Sequence, residues 1–156
     1  MQDIRYLTIR LLLRIVMVNI VVCSQEQLYT VYGEYCKSEH LVISIKSTKY
    51  PAKWPILLPN DLCLGWLKMS FDDIDKPDNI YQCMTVNHAL TIKHFVLSYS
   101  DSEKPITIIT HCEGGISRGP AIGLSLNLKY NWSLSILTND AITPNTLVFD
   151  TLSSVL

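Results

Sequence analysis

The stretch that decides the fold is Pro105-Ile-Thr-Ile-Ile-Thr-His-Cys-Glu-Gly-Gly-Ile-Ser-Arg118, an apolar strand that leads into a loop with a cysteine and an arginine. Five residues separate Cys112 from Arg118, which is enough chain to wrap one turn around a tetrahedral anion. Gly114 and Gly115 permit backbone angles and a close approach that a Cβ atom would block. Inward-pointing amides would form an anion-binding nest beside the N-terminus of a helix that begins near Gly119. The amides in question are those of Glu113, Gly114, Gly115, Ile116, Ser117 and Arg118.

The side chains of this loop suggest phosphate-ester cleavage. Positive surroundings favour the thiolate of Cys112 over its thiol, and the thiolate is the nucleophilic form. Arg118 offers two parallel donors to phosphoryl oxygens, a bidentate geometry that lysine lacks. We expect Ser117 to donate a hydrogen bond to the thiolate or to the loop backbone, and His111 to order the loop rather than transfer a proton. This chemistry calls for neither a metal ion nor a cofactor.

The loop resembles that of the Cys-based protein tyrosine phosphatase superfamily, in particular its compact dual-specificity-like branch of bacterial type. The loop of that branch reads His-Cys-x-x-Gly-x-Ser-Arg. Its fixed positions are met here by His111, Cys112, Gly115, Ser117 and Arg118. The resemblance implies a metal-independent phosphomonoesterase that acts on phosphotyrosine, and on phosphoserine or phosphothreonine, through a cysteinyl-phosphate intermediate. It extends more weakly to residues 18–24, 41–45 and 144–148.

One position departs from the family pattern. The family usually has Ser or Thr directly after the arginine, where the hydroxyl eases departure of the thiolate in the second step. This chain has Gly119, followed by Pro120. We therefore expect the first step to survive and hydrolysis of the phosphoenzyme to be slow.

The family supplies the proton for the leaving group from an aspartate on a loop that follows an earlier strand. Here the expected strand, Gly65–Phe71, runs into an acidic loop. The resemblance favours Asp73 as the general acid, with Asp72 and Asp75 as alternatives.

Two other functions stay open at this level. The same kind of loop occurs in phosphoinositide, nucleotide and RNA phosphatases, but basic loop residues suit such polyanions and this loop carries Glu113. The other alternative is a catalytically weak pseudo-phosphatase that binds phosphorylated partners, which Gly119 supports. A phosphorylated protein or a small phosphoester is the expected substrate, and the oligomeric state is left open.

Composition narrows the class of protein further. The chain has 156 residues, a formal net charge of −1 and no basic run, so neither nucleic acid nor a membrane is an expected partner. Its five cysteines form no C-x-x-C pair, which argues against a zinc site or a disulfide framework. We therefore expect a reducing, cytoplasmic location.

Residues 1–16 differ in character from the rest of the chain. They are apolar but interrupted by Arg5, Arg10 and Arg14, which break any membrane-spanning helix. We expect an N-terminal extension over 1–16 that the fold does not need, followed by a single phosphatase-like catalytic domain over 17–156.

Strands and helices are expected to alternate along that domain. Ser24 and Gln27 form a potential capping box at the start of the first helix. Strands are predicted at 20–23, 41–45, 66–71 and 106–110, and helices at 24–36, 79–99, 119–130, 133–142 and 145–155. This alternation predicts an α/β three-layer sandwich with a central, mainly parallel sheet flanked by helices, like that of a protein tyrosine phosphatase.

Overall fold

A parallel β-sheet forms the centre of the computed structural model, which describes residues 17–34, 37–49, 53–99, 102 and 104–156. Within those residues the sheet has five strands in the order β3-β2-β4-β1-β5, and all neighbouring strands are parallel. The strands are β1 (Val18–Ser24), β2 (His40–Lys46), β3 (Cys63–Ser70), β4 (Ile106–Cys112) and β5 (Ser133–Ile136). The described helices are α1 (Gln25–Glu34), α2 (Val86–Leu97), α3 (Arg118–Tyr130) and α4 (Thr146–Val155).

Both faces of the sheet are covered, which explains why its central strands are buried along most of their length and mainly apolar. On one face, Ile20, Ile43 and Ile108 pack in a core cluster that includes buried residues of α2, α3 and α4. The next residue along two of these strands, Val21 and Ile109, belongs to a second cluster with α1. The period-two alternation of strands thus separates two core layers. The predicted three-layer α/β sandwich is confirmed.

The order of the strands creates a switch point between β1 and β4. The chain leaves β1 through α1 towards β2, and it leaves β4 through α3 towards β5, on the other side. The two strands are adjacent, with Ser24 opposite Cys112 at their carboxyl ends. Ligands bind at such points in open α/β sheets, because the two departing chains leave a crevice between them.

The predicted capping box at the start of α1 is confirmed. The backbone N–H of Gln27 donates to Ser24 Oγ at 3.0 Å, and the Gln27 side chain accepts from the Ser24 N–H at 2.9 Å. The helix therefore starts directly where β1 stops. Its expected end at Cys36 lies outside the described residues.

The predicted start of α2 at Asn79 is wrong, since the helix begins at Val86. Thr85 caps it and forms a capping box with His88. Upstream of this cap, the carboxylate of Asp78 binds the N–H groups of Ile80 and Tyr81 in a turn. A polar side chain that takes local backbone donors stops the helix from extending backwards.

The predicted helix over 133–142 is also wrong. Residues 133–136 form β5, which pairs with β1. Leu134 and Ile136 are partly buried against the core, whereas Ser133 and Ser135 are exposed. Alternation of this kind has the period of a strand.

Over the described ranges, none of the helices has the length and apolar character that a membrane span requires. The proposed extension at 1–16 lies outside those ranges, so it stays a prediction, as does the assignment of 17–156 as one catalytic domain.

Candidate active site

Cys112 and Arg118 lie at the two ends of the predicted phosphate-binding loop. Cys112 is the last residue of β4 and Arg118 is the first residue of α3. Both side chains are almost fully buried, with 2% and 3% of their surface exposed. The N–H of Gly119, in the first turn of α3, points to the Cys112 sulfur at 3.4 Å. The Cys112 sulfur therefore faces the N-terminus of α3.

The carbonyl groups of the loop reveal the direction of its amides. Three loop carbonyls accept hydrogen bonds from backbone N–H groups outside the loop, so these carbonyls point away from the loop centre. The pairs are Gln25 with Glu113 at 3.2 Å, Thr143 with Ile116 at 2.8 Å and Asn145 with Ser117 at 3.2 Å. Because the C=O and the following N–H of a trans peptide point in opposite directions, the amides of Gly114, Ser117 and Arg118 turn towards the loop centre, as in an anion-binding nest.

The two loop glycines differ in whether the structure requires glycine at their position. Gly115 has a φ angle of 70°, and a Cβ atom there would lie 2.6 Å from the backbone nitrogen of Ser24. The loop can therefore press against the end of β1 only with glycine at this position. Gly114 does not have a positive φ angle, and a Cβ atom there would meet Ile116 Cγ1 at 3.7 Å, an ordinary van der Waals distance, so the expectation that it needs to be glycine is not supported.

Arg118 is fixed by one edge of its guanidinium group. Its Nη1 atom donates to the backbone oxygen of Phe71 at 2.7 Å and to Ser47 Oγ at 3.2 Å. Its Nε atom is buried and has no hydrogen-bond partner among the described residues. A buried donor without a partner costs free energy, so a site built this way is arranged for an acceptor.

Asp73 is brought directly onto the loop. Its Oδ1 atom accepts a hydrogen bond from Ser117 Oγ at 2.7 Å and another from Asn145 Nδ2 at 2.8 Å. The residue is otherwise exposed. The Ser117 hydroxyl thus binds the acid loop, whereas the sequence led us to expect the thiolate or the loop backbone as its partner.

Asp72 is buried and turned away to a different set of partners. Its carboxylate accepts from the N–H and hydroxyl of Thr48, at 2.8 and 2.5 Å, and from the N–H of Gln82 at 2.9 Å. Burial opposes ionisation, but these hydrogen bonds and the charge of Arg118 outweigh it and lower the pKa of Asp72. A carboxylate held in its ionised form is poorly suited to donate a proton.

The third acidic candidate, Asp75, is exposed and makes no hydrogen bond or ion pair with the described residues. The geometry therefore brings only Asp73, among the three aspartates, into contact with the loop. Within the described part of the chain, no cluster of His, Cys, Asp and Glu side chains is placed to hold a metal ion.

His111 lies beneath the loop, in contact with a chain of polar groups. Its Nε2 atom is 2.6 Å from Ser44 Oγ, which also accepts a hydrogen bond from the indole N–H of Trp66 at 2.7 Å. Burial lowers the pKa of His111 to about 4, although the backbone of Cys112 opposes part of that shift. The ring is therefore neutral at pH 7, which agrees with an ordering role.

Cys23 is the cysteine on the strand next to Cys112. Burial, and then the charge of Cys112, raise its pKa to about 12. Its side chain belongs to the core cluster of α1, whereas Cys112 belongs to the cluster on the opposite face. The sheet thus separates the two sulfur atoms.

The sequence pattern did not predict that Ser44, Ser47 and Asn145 take part in this site. Ser47 and Ser44 are single polar residues at a strand end and inside a strand, and nothing in their local pattern marks them. Asn145 carried a weak signal, because residues 144–148 resemble a closing Pro-Asn segment of the bacterial phosphatases.

The chain was also compared with known proteins. One similar solved structure is the "Crystal structure of Tk-PTP in the active form", at 17% sequence identity and a TM-score of 0.48. The match covers 90% of this chain and 93% of that chain. No family model matches the sequence, and no curated protein does so either. The functional assignment therefore depends on the site itself.

Proposed function

We propose that this protein is a metal-independent phosphomonoesterase that acts through a cysteinyl-phosphate intermediate. The observation that carries the proposal is the state of Arg118, whose Nη1 edge is anchored while its buried Nε donor is left without a partner. That donor lies on the same loop as the inward-turned amides and the Cys112 sulfur. This arrangement of donors is complementary to the negative charge of a phosphoryl group during its transfer from an ester oxygen to sulfur.

The first step joins sulfur to phosphorus. The Cys112 thiolate attacks the phosphorus atom, and the bond from phosphorus to the ester oxygen breaks on the opposite side. Asp73 donates its proton to that oxygen, so the leaving group departs as a neutral alcohol or phenol. Arg118 and the loop amides bind the equatorial oxygens throughout.

The second step restores the enzyme. A water molecule attacks phosphorus, Asp73 takes one proton from it, and the phosphorus–sulfur bond breaks. Inorganic phosphate leaves and Cys112 returns to its thiolate form. No electron donor or metal ion enters either step. The nucleophile must stay reduced, so a reducing compartment is the environment in which the enzyme would work.

Two features of the loop favour an aryl phosphate, such as phosphotyrosine, over a polyanion. Ile116 is 36% exposed and offers an apolar contact to an aromatic ring. Glu113 is exposed on the same loop and would repel additional phosphates. Turnover of a phosphotyrosine peptide should therefore exceed turnover of a soluble phosphoinositide at equal concentration.

The test of the proposal is an assay with an aryl phosphate in the presence of EDTA. We expect activity in wild-type protein, a phosphoryl group on the Cys112 peptide after rapid quenching, and no activity in Cys112→Ser. Cys63→Ser is the matched control, because this thiol lies at the opposite end of the sheet and should be dispensable. Activity that survives in Cys112→Ser, or that disappears in EDTA, contradicts the mechanism.

A binding protein without turnover is the second candidate, and one observation favours it. Among the described residues, the Cys112 sulfur receives a single hydrogen bond, from the Gly119 amide. Among these residues no side-chain hydroxyl donates to the sulfur, which makes it a poorer leaving group in the second step. Release of one equivalent of phenol per protein indicates a stalled enzyme, whereas release of none indicates a binding module.

A further inference from the structure

Asn145 immediately precedes α4 and is buried, with 6% of its surface exposed. Its Oδ1 atom accepts the N–H of Val148 at 2.9 Å and thereby caps the helix. Its Nδ2 atom donates to Asp73 Oδ1 at 2.8 Å and to the backbone oxygen of Ile74 at 3.1 Å. Helix capping needs only the oxygen, so the two contacts of the amide nitrogen require a separate explanation.

The backbone around Asn145 is fastened to the phosphate-binding loop. Its own N–H donates to the Ser117 oxygen at 3.2 Å, and Thr143 donates to the Ile116 oxygen at 2.8 Å. One residue therefore connects three parts of the molecule, namely the start of α4, the phosphate-binding loop and the acidic loop. The position of the acidic loop relative to the nucleophile is set through this residue.

The contacts also distinguish the two oxygens of Asp73. Its Oδ1 atom accepts from both Ser117 and Asn145, which occupies the lone pairs of that atom. A proton on the Asp73 carboxyl must then reside on Oδ2, the oxygen without a described partner. The arrangement selects which oxygen carries the transferable proton.

We infer that Asn145 is a positioning residue for proton transfer, which holds Asp73 on the phosphate-binding loop with Oδ2 free to serve the leaving group. The inference rests on the proposed function. Once Asp73 has given up its proton, its carboxylate is repelled by the bound phosphoryl group, and Asp72 and Asp75 add to the negative charge of the loop. The side-chain donors of Asn145 and Ser117 offset that repulsion and keep the acidic loop docked.

The test compares phosphate esters whose leaving groups differ in basicity. A good leaving group, such as a dinitrophenol, departs without a proton, whereas phenol requires one. Asn145→Ser keeps an oxygen that can cap α4 but removes the donor to Asp73. We expect kcat/KM for phenyl phosphate to fall roughly 10–100-fold in this variant, the effect of one hydrogen bond to a charged group, with little change for the dinitrophenyl ester.

Two further variants make the test specific. Asn145→Asp preserves size and the capping oxygen at a helix N-terminus, where a negative charge is tolerated, and it should show the same dependence on the leaving group. In a background of Asp73→Asn, the loss caused by Asn145→Ser should shrink to nearly nothing, because the group being positioned is gone. Ser125→Ala is the structural control, since Ser125 binds Phe149 of α4 without touching the acidic loop.

Each result has one reading. A loss of equal size on both esters assigns Asn145 a purely structural part and overturns the inference, as does full activity on phenyl phosphate. In both cases the proposed function is still supported if the wild type is active and Asp73→Asn loses more activity on phenyl phosphate than on the dinitrophenyl ester. A wild type that cleaves neither ester contradicts the proposed function itself and the inference with it.

Discussion

Replacement of Gly119 by serine tests the second step of the proposed mechanism, in which the Cys112 sulfur departs from phosphorus. A Cβ atom on Gly119 would lie 3.5 Å from that sulfur and 3.4 Å from the Cys112 backbone nitrogen. Both are ordinary van der Waals distances, so the substitution fits without movement of the loop. A serine hydroxyl at this position can reach the sulfur and donate to it.

The size of the effect follows from the chemistry of that hydrogen bond. A bond to a charged group contributes about 1.5–3 kcal/mol, which corresponds to roughly 10–100-fold in rate if it acts only as the thiolate departs. The first step gains nothing, because there the thiolate is the attacking group and a hydrogen bond makes it less reactive. The steady-state rate should therefore rise while the rate of the first turnover stays level or falls.

Stopped-flow measurement of phenol release separates these steps. We expect a burst of about one equivalent followed by slow turnover in wild-type protein, and a smaller burst with faster turnover in Gly119→Ser. Gly119→Ala is the matched control, because it adds the Cβ atom and the gain in helix propensity without the hydroxyl. Equal steady-state rates in the serine and alanine variants, or a wild type with no burst, would refute this reasoning.

Three further predictions concern stability. Gly115→Ala should lower the free energy of unfolding by about 3 kcal/mol, because the new Cβ atom meets backbone atoms and the backbone is left-handed there. Gly114→Ala should change the free energy of unfolding by less than about 1 kcal/mol, and chemical denaturation measures both variants. Between pH 7 and 5, burial of His111 should lower the free energy of unfolding by about 2 kcal/mol, because the unfolded chain binds a proton that this ring, with its pKa of about 4, excludes in the folded state. Burial lowers the pKa of His88 as well, so His111→Gln should reduce the pH dependence of stability without abolishing it, and an unchanged slope contradicts the prediction. Asp72→Asn should lower the free energy of unfolding by about 1–3 kcal/mol at pH 7 and keep most of the activity. This loss of stability should shrink below about pH 4, because the wild-type carboxyl takes up a proton as the pH falls through its lowered pKa. A variant that can no longer cleave esters with phenol leaving groups would instead make Asp72 the acid.

The central strands could be predicted because their apolar sequence is compatible with only one environment, the interior of a covered parallel sheet. A continuous apolar run such as Ile20–Cys23 needs cover on both faces, and the glycine-rich turn behind Cys112 fixes the end of β4. The capping box of Ser24 and Gln27 is equally local, since both partners lie within one helical turn. Local chemistry of this kind can be read directly from the chain.

The errors have a common cause in competition between local signals. Ser-Leu-Ser-Ile at 133–136 alternates with the period of a strand, but the segment is too short to outweigh the helical character expected of its surroundings. Its pairing with the edge of β1 decides the outcome. The start of α2 was placed too early, because the turn formed by Asp78 and the cap at Thr85 were not recognised.

The local sequence pattern does not distinguish the acidic residues, and the preference for Asp73 came from the family resemblance alone. Asp72 and Asp73 are neighbours with the same chemistry, and only their partners distinguish them. Asp72 binds Thr48, which lies 24 residues away along the chain. Asp73 binds Ser117 and Asn145, which lie 44 and 72 residues away. Distances of this length along the chain leave no trace in a local pattern.

The outward-turned carbonyls of residues 113, 116 and 117 have a consequence for how the protein responds to acidity. A receptor made of peptide groups contains no atom that gains or loses a proton in the physiological range. The peptide groups of this loop should therefore attract an oxyanion equally well across that range, and the pH dependence of their share of binding comes from the ligand, whose second proton leaves near pH 6. Any weakening of that share on mild acidification would be a property of the incoming ester.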